Sequence, residues 1–192
     1  GDNRNVVLDE THTPGEPVVS TFDINGVRIR GTYTLDCNQL TRCYQFENID
    51  PRFIETLSLT HYMDTDLYFG DGGLGNDYGA VEFTNGTSVF AYDSIDEGRV
   101  FSPFVSLTGD ASAQALLESW EIGRYSEQRV RIANHAFGCS SLLNTLNRGG
   151  AGYNSDTNGD FITDSGYDTT MALRFVLGSL PVNEQSPELC VV

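Results

Sequence analysis

Residues 154–168 read Asn-Ser-Asp-Thr-Asn-Gly-Asp-Phe-Ile-Thr-Asp-Ser-Gly-Tyr-Asp. Oxygen-bearing side chains fall at alternate positions, Asp156, Asn158 and Asp160, and again at Asp164 and Asp168. A calcium ion takes six to eight hard oxygen ligands, and alternate residues of a curled loop point inward to supply them. The chemistry this segment offers is therefore hard-cation binding, with Ca2+ as the expected ion. Gly149, Gly150 and Gly152 precede it, and helices are expected on both sides, over 140–147 and 169–177.

The run Asp156-Thr-Asn158-Gly-Asp160, then Asp164, Asp168 and Met171-Ala-Leu-Arg-Phe-Val-Leu-Gly178, resembles a dockerin-type calcium repeat. It is also similar to the single EF-hand-like loops of secreted bacterial proteins. The resemblance covers residues 154–178 and implies the ligand set Asp156, Asn158, Asp160, Asp164 and Asp168, with a backbone carbonyl near Ile162. Phe161 stands where such loops place Gly, and Asp168 lies one position beyond the usual last ligand. A register beginning at Asn154 puts Gly159 at the turn position and Ser165 last. One repeat is present, so docking to a cohesin does not follow.

There are four cysteines, Cys37, Cys43, Cys139 and Cys190, with no CxxC spacing. An even, low count of this kind favours two disulfides over a zinc site. Three pairings are possible; the expected one joins Cys37 to Cys43 across a short loop and Cys139 to Cys190. Disulfides imply a secreted, extracellular or cell-surface location.

Weaker signals have bland readings. The Gly-Asp-rich loop at 70–77 partly matches a calcium repeat that works only in stacked arrays, so a turn is the better reading. His12, His61 and His135 have no metal-type partner at short spacing, and no Gly-x-Ser-x-Gly elbow supports a triad. Glu118 and Glu121 flank Trp120 and could mimic the carboxylate pair of a glycoside hydrolase, but both are expected to face solvent. Asn85-Gly-Thr87 is a sequon that also reads as a hairpin turn.

Asp and Glu total 27 against 11 basic residues, a formal charge of -16. Such a field repels phosphate backbones and attracts divalent cations, which argues against nucleic acid as a partner. All 11 basic residues are Arg; without Lys, Schiff-base chemistry, Walker-type loops and lysine isopeptide crosslinks are unavailable. No apolar run approaches the roughly 20 residues of a membrane-spanning helix.

The chain of 192 residues is long enough for a sizeable core. Val18–Ile24 and Val27–Leu35 alternate around Asn25-Gly26, a hairpin signature. Further strands are expected over 43–49, 57–62, 67–69, 80–83, 88–92, 100–107 and 124–132, with a helix over 111–120 capped by Asp110. The expected fold is mainly β, an antiparallel β-sandwich or jelly-roll-like domain with a C-terminal helix–calcium loop–helix. The expected divisions are an arm over 1–17 containing Val6-Val7-Leu8, a β-rich domain over 18–134, and the calcium segment with a disulfide-pinned tail over 135–192.

The functional expectation is a secreted calcium-binding structural protein without catalysis, self-associating through the arm and sheet edges as a filament- or surface-layer-like subunit. The alternative is a calcium-stabilised module binding a glycan or a protein, with Tyr62, Tyr68, Tyr78 and Tyr92 as a sugar platform.

Overall fold

Asn25 and Gly26 turn the chain with φ of 50° and 81°, the left-handed pair that a two-residue hairpin requires. A side chain at position 26 would also collide with Asp50, since its Cβ would lie 2.7 Å from the Asp50 Cβ. The computed structural model describes residues 7–8, 16–65, 67, 77–92, 104–133, 142–148 and 156–192. Its first strands are β1 (Val7–Leu8), β2 (Val18–Ile24), β3 (Val27–Asp36), β4 (Gln39–Asn48) and β5 (Ile54–Asp64). There follow β6 (Tyr78–Glu82), β7 (Ser88–Tyr92), β8 (Phe104–Thr108) and β9 (Leu117–Arg124). The last are β10 (Thr145–Arg148), β11 (Thr169–Leu180) and β12 (Leu189–Val191). Two helices, α1 (Ala111–Gln114) and α2 (Tyr125–Ala133), flank β9. The protein is mainly β with antiparallel sheets, and β10 runs parallel to β9.

Two compact units interleave in sequence. The first comprises residues 1–59, 109–116 and 176–192. Its sheet has the order β1-β2-β3-β4-β12. Val27, Phe46 and Leu180 form its buried centre, with Ile29, Tyr44, Ile54, Leu57, Leu59 and Leu177 packed around them. Burial of that apolar face is the main stabilising term, at about 25 cal/mol per Å² removed from water. The expected cap is present on α1, where Asp110 Oδ1 accepts the Ala113 N–H at 2.8 Å.

The second unit comprises residues 60–108 and 117–175. It holds β6-β7-β8 and most of the sheet ordered β10-β9-β11-β5. Val81, Val89, Ala91 and Leu107 point inward from β6–β8, and Ile122, Met171, Leu173 and Phe175 are buried on β9 and β11. Gly79 permits the close approach between them, because a Cβ there would lie 2.4 Å from Ile122 Cγ2.

Several expected elements differ. Residues 169–177 belong to strand β11, not a helix, and 145–148 form strand β10; 140–141 lie outside the described residues. The reason is burial: Thr169 through Phe175 are all buried. A strand covered on both faces loses its period-2 pattern and reads like a buried helix. The helix expected over 111–120 stops at Gln114, since Leu117–Arg124 pair with β11 from Leu117↔Phe175 to Arg124↔Thr169. Conversely, 124–132 is mostly helix α2, with Gln128 buried and Val130 exposed. The C-terminal helix–loop–helix is thus replaced by a loop entering a central strand.

The disulfide also differs from the expected pairing. Cys43 bonds Cys190, while Cys37 is a free, exposed thiol and Cys139 lies outside the described residues. The β3–β4 ladder explains this. Asp36 opposes Gln39, so Cys37 sits in the hairpin turn at φ 53°, whereas Cys43 opposes Thr32 well down the ladder. The four residue steps from Gln39 to Cys43 span about 14 Å, beyond the reach of a disulfide. β12 instead brings Cys190 directly opposite Cys43.

Candidate metal centre

The 156–168 segment is laced to the edge of β6. Phe161 O accepts the Val81 N–H at 3.0 Å, and the Thr163 N–H donates to Gly79 O at 2.9 Å. Thr163 Oγ1 accepts the Gly79 N–H at 3.0 Å. Further along, the Tyr167 N–H and Thr169 Oγ1 both donate to Asp77 O, at 2.9 and 2.8 Å. Thr163, Tyr167, Thr169 and Asp77 are buried, so the polar segment is fixed by its backbone while its carboxylates stay at the surface.

Within the loop, Asp156 organises the turn. Its Oδ1 accepts the N–H groups of Gly159 and Asp160 at 2.7 and 3.1 Å, and its Oδ2 accepts that of Phe161 at 3.0 Å. Asn158 Oδ1 accepts the Asp160 N–H at 3.0 Å, and Asp160 Oδ1 accepts the Ile162 N–H at 3.0 Å. Asn158 Nδ2 donates to Asp160 Oδ2 at 3.0 Å. Asp164 Oδ2 closes the loop by accepting the Thr157 N–H and hydroxyl, both at 2.8 Å. Gly159 and Phe161 have φ of 79° and 64°. Phe161 therefore adopts the left-handed backbone that such loops assign to Gly, despite its Cβ. Its ring is compensated by an edge contact with Phe83, 5.4 Å between centroids.

Burial, and then the Asp160 carboxylate, push the Tyr92 hydroxyl up to about 12. Asp168 acts instead on Tyr62, which burial, Asp64 and more weakly Asp168 raise to about 12. The Asp168 carbonyl accepts the Tyr125 N–H at 2.9 Å, at the start of α2. Asp156, Asn158, Asp160 and Asp164 are tied into the loop by the hydrogen bonds above, and Asp168 also lies near enough to Tyr62 to raise its hydroxyl slightly. The donors present fit a hard cation, because every one is oxygen and each carboxylate keeps an oxygen with at least one lone pair unused, Asp156 and Asp160 at Oδ2 and Asp164 at Oδ1. Their carboxylates are turned to backbone N–H groups. Among the described residues, the one trio of His, Cys, Asp or Glu with ligand atoms within 4.8 Å of one another is elsewhere, at Cys43, Glu188 and Cys190.

Other candidates resolve differently. Glu121 is fully buried rather than solvent-facing; Oε1 faces Gln128 Nε2 at 3.4 Å and Oε2 accepts the Leu143 N–H at 3.1 Å. Glu118 pairs with Arg174, 2.8 Å from Oε2 to Nε. His61 is buried on β5 as a strand residue. His12, His135, Tyr68, Asp66, Asn154 and residues 70–76 lie outside the described residues. Tyr62 packs against the Leu142–Ala172 core. Tyr78 and Tyr92 stack on β6 and β7 at 6.1 Å, and Phe90 lies 6.3 Å from Phe104, which is 64% exposed. The trio at Glu188 was missed because its signal is only the alternation Glu188-Leu189-Cys190, with Leu189 fully buried between an exposed and a half-buried residue.

Compared with protein-family models, the chain matches none, and no curated protein matches it.

Proposed function

We propose that this chain is an extracellular calcium-binding β-protein with a structural rather than catalytic role. In this reading Ca2+ binds Asp156, Asn158, Asp160 and Asp164 and locks the loop on the edge of β6. The carrying observation is the backbone of that loop: three N–H groups gathered by Asp156, with Phe161 held at φ 64°. A left-handed non-glycine residue costs roughly 1–2 kcal/mol, and an ion that fixes the loop offsets that cost by mass action. The Cys43–Cys190 disulfide supports an oxidising location. A β-sandwich is the arrangement that best suits the inward residues of β6–β8, β9 and β11. Self-association through the arm has less support, because Val7 and Leu8 already pair with Thr21 and Ser20 of the same chain.

Thermal unfolding in calcium and in excess chelator tests this reading. Saturating calcium at about 100 Kd adds roughly 2.7 kcal/mol, and Asp156→Asn with Asp160→Asn removes the shift. An unchanged melting temperature in wild-type protein would end the proposal.

A second reading, a calcium-stabilised glycan-binding module, is favoured by the aromatic side chains that alternate outward from β6–β8: Tyr78, Phe90, Tyr92 and Phe104. Its test is calcium-dependent retention on a glycan array, lost in Tyr92→Ala.

A further inference from the structure

We propose that Cys43, Cys190 and Glu188 form a redox-gated zinc site, in which zinc(II) replaces the disulfide as the link between β4 and β12. Three observations support this. Cys43 and Cys190 are directly opposed on antiparallel strands, with Cα atoms 4.0 Å apart. Leu189 and Val191 of β12 are buried while Cys190 between them is half-buried, and Glu188, immediately before the strand, is exposed. The two sulfurs and a Glu188 carboxylate oxygen all lie within 4.8 Å of one another; the cysteines are half-buried and Glu188 is exposed, so an ion can enter from solvent.

The donor set selects the metal. Two thiolates suit a borderline-soft ion, and a carboxylate completes three protein ligands with the fourth position left to water. Tetrahedral zinc with Zn–S bonds near 2.3 Å holds its sulfurs about 3.8 Å apart, a separation that opposed residues of neighbouring strands supply without moving the backbone. Calcium does not compete for thiolates, so this site and the acidic loop sort ions by hardness.

The chemistry balances. A dithiol reductant supplies two electrons and two protons, is itself oxidised to a disulfide, and converts the Cys43–Cys190 bond into two thiols. Zinc(II) then displaces both thiol protons to water and forms two Zn–S bonds and one Zn–O bond to Glu188. The consequence is mechanical. β12 is three residues long, and Asp110 donates its N–H to Cys190 O at 3.0 Å; either crosslink keeps this strand seated.

The test uses the full chain carrying Cys37→Ser and Cys139→Ser, so that Cys43 and Cys190 are the only cysteines left. It is reduced with a water-soluble phosphine, which becomes the phosphine oxide with oxygen from water and competes weakly for zinc. Zinc uptake is measured against a chromophoric chelator, with cadmium as a second probe for thiolate-to-metal absorption. The expected result is one zinc per reduced chain, bound at least tenfold more tightly than by the oxidised chain, a cadmium–thiolate band only after reduction, and at least a tenfold loss in Glu188→Gln. Equal uptake by reduced and oxidised chains, which assigns the ion to the acidic loop, overturns the proposal. So does an unchanged affinity in Glu188→Gln. Where reduction loosens the fold, zinc must restore amide-exchange protection to residues 189–191, and its failure to do so overturns the proposal equally.

Discussion

The Phe161 N–H donates to Asp156 Oδ2 at 3.0 Å while Phe161 itself is held at φ 64°. One carboxylate thus maintains a bulky residue in a conformation that L side chains disfavour. The ring is half exposed and touches Phe83, so its strain and its packing can be separated by substitution.

Phe161→Ala removes the ring and keeps the Cβ, whereas Phe161→Gly removes both. Gly tolerates positive φ, so the Gly variant should be more stable than the Ala variant by about 1 kcal/mol in urea unfolding. Equal stability, or a more stable Ala variant, would show that the left-handed backbone is not a cost at this position.

Tyr92 reports on the loop through its proton. Burial and then Asp160 raise it to about 12, and Tyr62 is raised to about 12 chiefly by burial. The folded state therefore holds these protons more tightly than the unfolded chain, whose tyrosines titrate near 10. The stability they contribute is complete below pH 10 and is lost as pH climbs through about 12. Unfolding midpoints measured at pH 8 and near pH 11 should fall with alkalinity. Calcium, by neutralising Asp160, should lower the Tyr92 value in a tyrosinate absorbance titration, with Tyr92→Phe abolishing that component. A calcium-insensitive titration would place the ion away from Asp160.

Arg174 is buried at 4% side-chain exposure, whereas its partner Glu118 keeps 36%. Removing the carboxylate leaves a charge in the interior; removing the cation leaves a carboxylate able to turn to water. Glu118→Gln should therefore cost about 1–3 kcal/mol, below the 3–5 of a fully buried pair because Glu118 is part solvated. Arg174→Met, an apolar replacement of similar length, should cost less. Chemical denaturation of both variants checks the order, and the reverse order would indicate that Arg174 stabilises chiefly through its other contacts.

The sequence alone determined what depends on near neighbours. Alternation about Asn25-Gly26 specified β2 and β3, because the turn needs left-handed residues and the strands expose one polar face each. Asp110 specified the start of α1, since a cap acts on N–H groups two or three residues away. The oxygen-rich spacing from Asp156 to Asp164 specified a loop folded onto its own backbone. Tertiary structure decided what depends on coverage and distant pairing. β11 is buried on both faces from Thr169 to Phe175, which erases the pattern separating a strand from a helix, and β9 is a strand because it pairs with β11. Cys43 found Cys190 across 147 residues because β12 joins the sheet beside β4, a relation that no local spacing encodes. Asp168 stands immediately before β11, so the pairing of that strand with β9, and not the spacing of acidic residues, sets its position.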